Sequence, residues 1–367
     1  VKPKLHQVSR TALALTALAA TAFGVSACGS AAGSSGSSGS GSVGVTLILK
    51  TLSNPYFVTM EGDAKAAAAK DGVKLTVAAG TSDGDTQSQI TAIDNAISRG
   101  DKGILITTNG NAVNAALNQA KQAGLYVIAL DTAPTPANVA DITYATDNTA
   151  AGKLDGQAAA ATLGGKKAVI AMLDLYNNQV VSVDIDRDHG FLQGMGIDPG
   201  STTQNGQEAK SGNYTGGSGG AYQIACQQPT QGAIDGGRTA MEDCLSANPN
   251  INVVYAINEP AAEGAYAALK AAGKTSSVKV YAIDGSCQGI GFVSSGEFAA
   301  DAVQYPGKMA SLGVDSIAKL AKGGSKPSTS SGLDFFNTGT ALVTASPVTG
   351  VSTETVAQGN ASCWGQS

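Results

Sequence analysis

The stretch Val45-Thr46-Leu47-Ile48-Leu49-Lys50-Thr51-Leu52-Ser53-Asn54-Pro55 sets the repeating unit of the fold. Its first five residues form an apolar, β-rich run, the composition of a strand covered on both faces. Its last two start a helix: Asn supplies an N-cap oxygen, and Pro is tolerated at the first helical position because the N–H it lacks would have no partner there. The helix passes through Ala64 to Lys70 and stops near Gly72. The rhythm then repeats. Residues 73–78 read as strand. Asp85 caps a helix with Ile90, Ile93 and Ile97 on one face, and strand 103–107, helix 112–123 and strand 126–130 follow.

After a break the alternation resumes with strand 142–145, helix 149–163, strand 168–173 and a helix around 187–194. Ile224 and Ala225 suggest a strand, and a helix follows over 232–245. Strands at 253–257, 278–283 and 300–303 come next, with helices between them. Val- and Ile-rich strands separated by amphipathic helices imply an α/β protein with parallel sheets covered on both faces. The Gly-, Ser- and Gln-rich stretch between Asp198 and Pro229 reads as a surface loop.

The chain has 367 residues, of which 43% are hydrophobic and 14% charged, with a formal net charge of -5. That length holds two domains of roughly 100–200 residues each. Mild acidity argues against a nucleic-acid partner, which needs a basic footprint. The segment before the folded part carries its own signal. Lys2, Lys4 and Arg10 precede an apolar run over 11–25, which ends in Val25-Ser26-Ala27-Cys28. A basic start followed by a short apolar run is the layout of a secretory signal. The small residue followed by Cys resembles a bacterial lipobox, which implies lipidation of Cys28 and an extracytoplasmic, membrane-anchored protein. Residues 29–42 are almost entirely Gly, Ser and Ala, a flexible linker. Cys226, Cys244, Cys287 and Cys363 remain, in a compartment that permits disulfides. Three pairings are open to them, with Cys226–Cys244 and Cys287–Cys363 preferred; their spacing does not suggest a zinc site.

Asn54, Asp131, Asn258, Asp284 and Gln304 each follow an apolar run. In open parallel sheets, ligands bind beyond the carboxyl ends of the strands, so such residues point towards a cleft. Carboxylates and planar amides can grip two adjacent hydroxyls at once. The competing role is that of N-caps and turn formers.

The residues then carry a family resemblance. Thr51-Leu52-Ser53-Asn54-Pro55-Tyr56-Phe57, Val127-Ile128-Ala129-Leu130-Asp131, Asn258-Glu259-Pro260-Ala261, Ile283-Asp284-Gly285 and Gln304-Tyr305-Pro306 resemble ribose-type sugar-binding proteins of ABC importers. Met172-Leu173-Asp174-Leu175, Asp186-Arg187-Asp188-His189-Gly190-Phe191, Gly237-Arg238-Thr239-Ala240-Met241-Glu242 and Gly332-Leu333-Asp334-Phe335-Phe336 look closer to the fructose-binding branch. The resemblance implies the type I periplasmic-binding-protein fold: two Rossmann-like lobes joined by three crossings, near Asp147-Asn148, Gln304-Tyr305 and Phe335-Phe336. The lobes are then 43–147 with 305–335, and 148–304 with 336–367, after a signal over 1–28.

The resemblance also implies a ligand-binding set of Asn54, Tyr56, Phe57, Asp131, Arg187, Asn258, Asp284 and Gln304. It implies a monomer without cofactor or metal that binds a monosaccharide, fructose first and ribose or mannose next. Its partners would be an ABC permease and ATPase on separate chains. Where ribose proteins carry Arg after the strand-end Asp, this chain has Thr132, which points away from strict ribose specificity.

Other readings compete. A sugar-sensing receptor subunit would look the same in sequence. Gly80-Thr81-Ser82-Asp83-Gly84 fits the Gly-x-Ser-x-Gly elbow of a serine hydrolase, with His189 as its partner. Gly216-Gly217-Ser218-Gly219-Gly220 fits the same pattern inside a loop, so the pattern carries little weight in a Gly-rich chain. A nucleotide-binding enzyme is disfavoured, because Gly273-Lys274-Thr275 lacks the upstream Gly of a P-loop.

Overall fold

The structure, a computed structural model, describes residues 42–365; Cys28 and the signal and linker expectations lie outside them. The first lobe holds β1 (Val43–Leu49), β2 (Val73–Ala79), β3 (Gly103–Ile106), β4 (Tyr126–Leu130) and β5 (Ile142–Ala145). They alternate with α1 (Pro55–Asp71), α2 (Thr86–Arg99) and α3 (Asn114–Gln122). All pairs in this sheet are parallel. The spatial order β2-β1-β3-β4-β5 places a switch in winding direction between β1 and β3.

The second lobe begins with α4 (Asn148–Leu163) and β6 (Ala168–Asp174) and continues with α5 (Ser182–Met195), β7 (Ser211–Tyr214) and β8 (Gly220–Pro229). Then come α6 (Ile234–Ala247), β9 (Val253–Ala256), α7 (Glu259–Ala271), β10 (Lys279–Asp284), α8 (Cys287–Ser295) and β11 (Ala300–Val303). The order β8-β6-β9-β10-β11 repeats the first lobe's winding, with its switch between β6 and β9. The chain returns to the first lobe for α9 (Pro306–Ala321), which packs on α1, and for β12 (Phe336–Asn337), which pairs with β5. It ends in the second lobe with β13 (Ala341–Thr344), β14 (Glu354–Thr355) and α10 (Val356–Ser362). Each sheet has an apolar core on both faces, as expected for buried parallel strands.

Local chemistry explains the element ends. The Asn54 side chain accepts from Tyr56 N, and Gly72 closes α1 at φ 69°. Asp85 caps α2 and Asp147 caps α4 in the same manner.

Two expectations need correction. The stretch between Asp198 and Pro229 is not only loop: β7 and β8 form an antiparallel hairpin, and β8 joins the sheet beside β6. Its polar composition is that of a sheet edge, where only alternate side chains such as Tyr222 and Ile224 need burial. The third crossing does not fall at Phe335-Phe336, because Phe336 pairs with Tyr144 in the first sheet. An edge-to-face contact between the two rings holds it there, and the change of lobe comes before Ala341.

The cysteines form Cys226–Cys244 and Cys287–Cys363. The first ties β8 to α6, and the second ties the residue after α10 to the start of α8.

Candidate functional site

Carboxyl ends of strands from both lobes meet across one cleft. Its walls carry Asn54, Tyr56, Phe57, Asp131, Arg187, Asn258, Asp284 and Gln304, every binding residue expected from sequence. Lys50, Asp83, Leu175, Val183 and Ile257 complete it around a space of about 30 Å³. That is room for little more than water and far below the roughly 300 Å³ of a small-molecule site, so a sugar-sized guest needs the lobes to part.

The first lobe supplies Tyr56 and Phe57 from the opening turn of α1, both buried. Their rings meet edge to face at 5.4 Å. The Tyr56 hydroxyl donates to Asp131 Oδ1 at 3.1 Å. Asp131 follows β4 at φ 64°, an unusual conformation for a residue with a side chain. Thr132 Oγ1 donates to its Oδ2 at 2.8 Å, so the departure from the ribose pattern orients the carboxylate.

The second lobe supplies Arg187 from α5. Its Nη2 lies 3.9 Å from Asp131 Oδ1, across the cleft, and its Nη1 lies 3.9 Å from Asp284 Oδ1 in its own lobe. Bonds to Ile257 O at 2.9 Å and Asn148 Oδ1 at 2.8 Å fix the guanidinium. The residue reaches the cleft because α4 and α5 touch backbone to backbone. A Cβ at Gly156 would stand 2.0 Å from Phe191 O, so only glycine fits.

Asp284 ends β10. Gln304 Nε2 donates to its Oδ1 at 2.8 Å, and Glu259 N approaches Oδ2 at 3.3 Å. Burial pushes its carboxyl up to about 8, with Glu259 adding to the rise and Arg187 opposing it. Gln304 is 1% exposed, and its Oε1 is a buried acceptor with no partner.

Asn54 and Asn258 fill the competing role as well: each caps a helix with its Oδ1. Asn258 Nδ2 also donates to Gly232 O at 3.1 Å, which leaves one N–H of the amide for a guest.

Sequence reasoning missed Lys50 and Asp83. Lys50 follows β1 directly, and the rule that selected Asp131 applies to it equally. Its Nζ lies 4.0 Å from Asp83 Oδ1. Burial raises the Asp83 carboxyl while Lys50 opposes the rise. Asp83 also accepts from Tyr176 OH of the second lobe at 3.0 Å, and Ser182 Oγ donates across the lobes to Ala133 O at 2.9 Å. The lobes are therefore in a closed arrangement.

Ser82 stands in the loop after β2, on the wall of an outer space rather than in the cleft. His189 sits on α5, with its Nε2 3.1 Å from Gln204 O. That contact directs the ring to the 198–210 region of its own lobe, whereas Ser82 belongs to the other lobe.

Comparison with known proteins bears on the family and the fold. A family model described as "Periplasmic binding protein domain" matches residues 44–325. The ribose import binding protein of Escherichia coli is 29% identical over 280 residues, 76% of this chain and 85% of that protein. The Haemophilus influenzae ribose import binding protein is 30% identical over 280 residues, 76% of this chain and 86% of that protein. Among solved structures, an ABC transporter solute-binding protein from Agrobacterium vitis with bound D-fucose superposes with a TM-score of 0.69. It is 24% identical, and the match covers 82% of this chain and 95% of that one.

Proposed function

Because this chain belongs to the periplasmic binding protein domain family, we propose that it is an extracytoplasmic subunit that captures one neutral sugar between its lobes. It is a binding protein, not an enzyme. The observation that carries the sugar reading is the single cleft lined by Asp131 and Tyr56 from one lobe and Arg187 and Asp284 from the other. A sugar offers hydroxyls that donate and accept in alternation. Carboxylates accept from them, the guanidinium donates to them, and the Tyr56–Phe57 rings cover an apolar ring face. Hydrogen bonds to charged partners contribute roughly 1.5–3 kcal/mol each. The walls mix Asp83, Asp131 and Asp284 with two cations, Lys50 and Arg187, rather than presenting the cationic set that an anionic guest such as a sugar phosphate calls for.

Closure follows from population shift. A ligand gripped by both lobes binds the closed form more tightly, and the equilibrium moves by that difference. The closed form would then deliver the sugar to an ABC permease with its ATPase. Cys28 would anchor the monomer to the membrane. Fructose is our first reading, on the stretches that resemble the fructose-binding branch; the relatives named for ribose make ribose the main competitor, with mannose behind it.

A thermal-shift screen with fructose, ribose, allose and mannose, followed by calorimetry, tests this. One of them is expected to raise the melting temperature and bind with a stoichiometry of one. No shift and no heat with any simple sugar would overturn the proposal.

A further inference from the structure

Outside the inner cleft lies a second, larger space of about 570 Å³. It shares Asn54, Asp83 and Asp284 with the inner cleft, so the two adjoin across these residues. Its volume falls in the range of small-molecule sites, roughly 300–1,000 Å³. One of its walls is Trp364, the only tryptophan of the chain.

The indole is held from several sides. Cys363 beside it is disulfide-bonded to Cys287. Its backbone pairs with Ser286 as a parallel bridge, and its carbonyl accepts from Cys287 N at 2.9 Å. Its Nε1 donates to Asp284 O at 2.9 Å, and its ring stands nearly perpendicular to that of Tyr56 with centroids 5.4 Å apart. A mere entrance needs no fixed ring. The wall also carries Gln231, Asp235, Glu263 and Gln288, and among the described residues no Lys or Arg lines the space. An aromatic plate with carboxylates and amides around it suits a neutral polyol: C–H faces stack on the indole, and hydroxyls donate to the acids.

We propose that this outer space is a second carbohydrate subsite, so that the ligand is a short glycoside whose terminal sugar fills the inner cleft and whose next unit stacks on Trp364. The proposal rests on the sugar-binding reading above and narrows it to a substrate class.

The test is calorimetry on the full oxidised chain. Fructose, ribose, allose and mannose are titrated singly, then as their phenyl glycosides and as disaccharides with glucose. For the sugar that binds, at least one extended form is expected to bind tenfold tighter or better. Trp364→Ala should remove that gain and Trp364→Phe should keep most of it. Gln288→Ala, an exposed change that leaves the fold intact, should cut the gain threefold or more with single-sugar affinity unaltered. Extended forms that bind no tighter than the free sugar overturn the subsite and leave the sugar reading standing. A full gain in both Trp364→Ala and Gln288→Ala overturns it as well. No heat with any sugar, single or extended, overturns both readings.

Discussion

Replacing Arg187 by Met should open the cleft. The guanidinium stands 3.9 Å from Asp131 Oδ1 of one lobe and 3.9 Å from Asp284 Oδ1 of the other, with all three side chains at most 5% exposed. At that distance the attraction between two full charges is on the order of 4 kcal/mol for an effective dielectric near 20, before desolvation is subtracted, and the Asp284 pair falls short of it at neutral pH because that carboxyl is raised to about 8. Removing one partner of a buried pair leaves a net loss of about 3–5 kcal/mol. Methionine keeps only the aliphatic stem, so the variant loses the charge, the bonds to Ile257 O and Asn148 Oδ1, and the volume of the guanidinium. Asp131 and Asp284 would then face each other across the closure surface with no cation between them. If the loss fell wholly on the closed state, the open form would gain roughly a hundredfold to several-thousandfold. Sugar affinity measured by calorimetry should fall by at least a hundredfold. Arg187→Lys, which keeps the charge but not the planar fork, should lie between. Affinity within threefold of the native chain in Arg187→Met would refute the reasoning.

The remaining expectations concern protons, packing and cross-links. Asp284 is raised to about 8, chiefly by burial, and its ionised form is the stronger acceptor for a sugar hydroxyl. Affinity should therefore tighten as pH rises from 6 to 9, with proton release on binding at pH 7; a flat Kd over that range would count against Asp284 as a ligand. Stability of the unliganded chain should run the other way. Asp284 and Asp301 (about 7) are raised above 3.8, so their contribution is complete below that value and is lost as pH climbs through 7–8. A melting temperature that rose between pH 5 and 9 would contradict this. Gly156→Ala forces a Cβ into the Phe191 carbonyl and should lower unfolding free energy by about 1–3 kcal/mol, read from the denaturant midpoint, while displacing Arg187 and weakening sugar binding. Loss of Cys226–Cys244, 18 residues apart, should lower stability by about 3 kcal/mol with little effect on affinity. Loss of Cys287–Cys363, 76 apart, should lower it by about 4–5 kcal/mol and also weaken binding, because Trp364 comes free of Tyr56; equal effects on affinity from the two would be wrong for this structure.

Strands buried on both faces leave a strong mark in sequence, and β1, β4 and β10 were legible for that reason. Their polar successors Asp131 and Asp284 were legible by position alone. Lys50 is hard to select from sequence because a lysine after a strand is ordinarily solvent-exposed, and only the loop carrying Asp83 makes it a buried partner. Arg187 lies within a helix, where no strand-end rule applies, and the resemblance alone pointed to it. Edge elements were the least legible. β7 has one buried residue, Tyr214, and β12 has two residues held by pairing with β5. Trp364 gave no signal either, since its place depends on a disulfide that joins residues far apart in the chain.

The central claim is that a sugar is clasped by both lobes at once. The most direct measurement is the distance between spin labels on Asn95 of α2 and Ser246 of α6, taken with and without the sugar that gives heat. A single distribution that shortens and narrows on saturation is the expected result. An unchanged distribution in the presence of bound sugar would contradict the account.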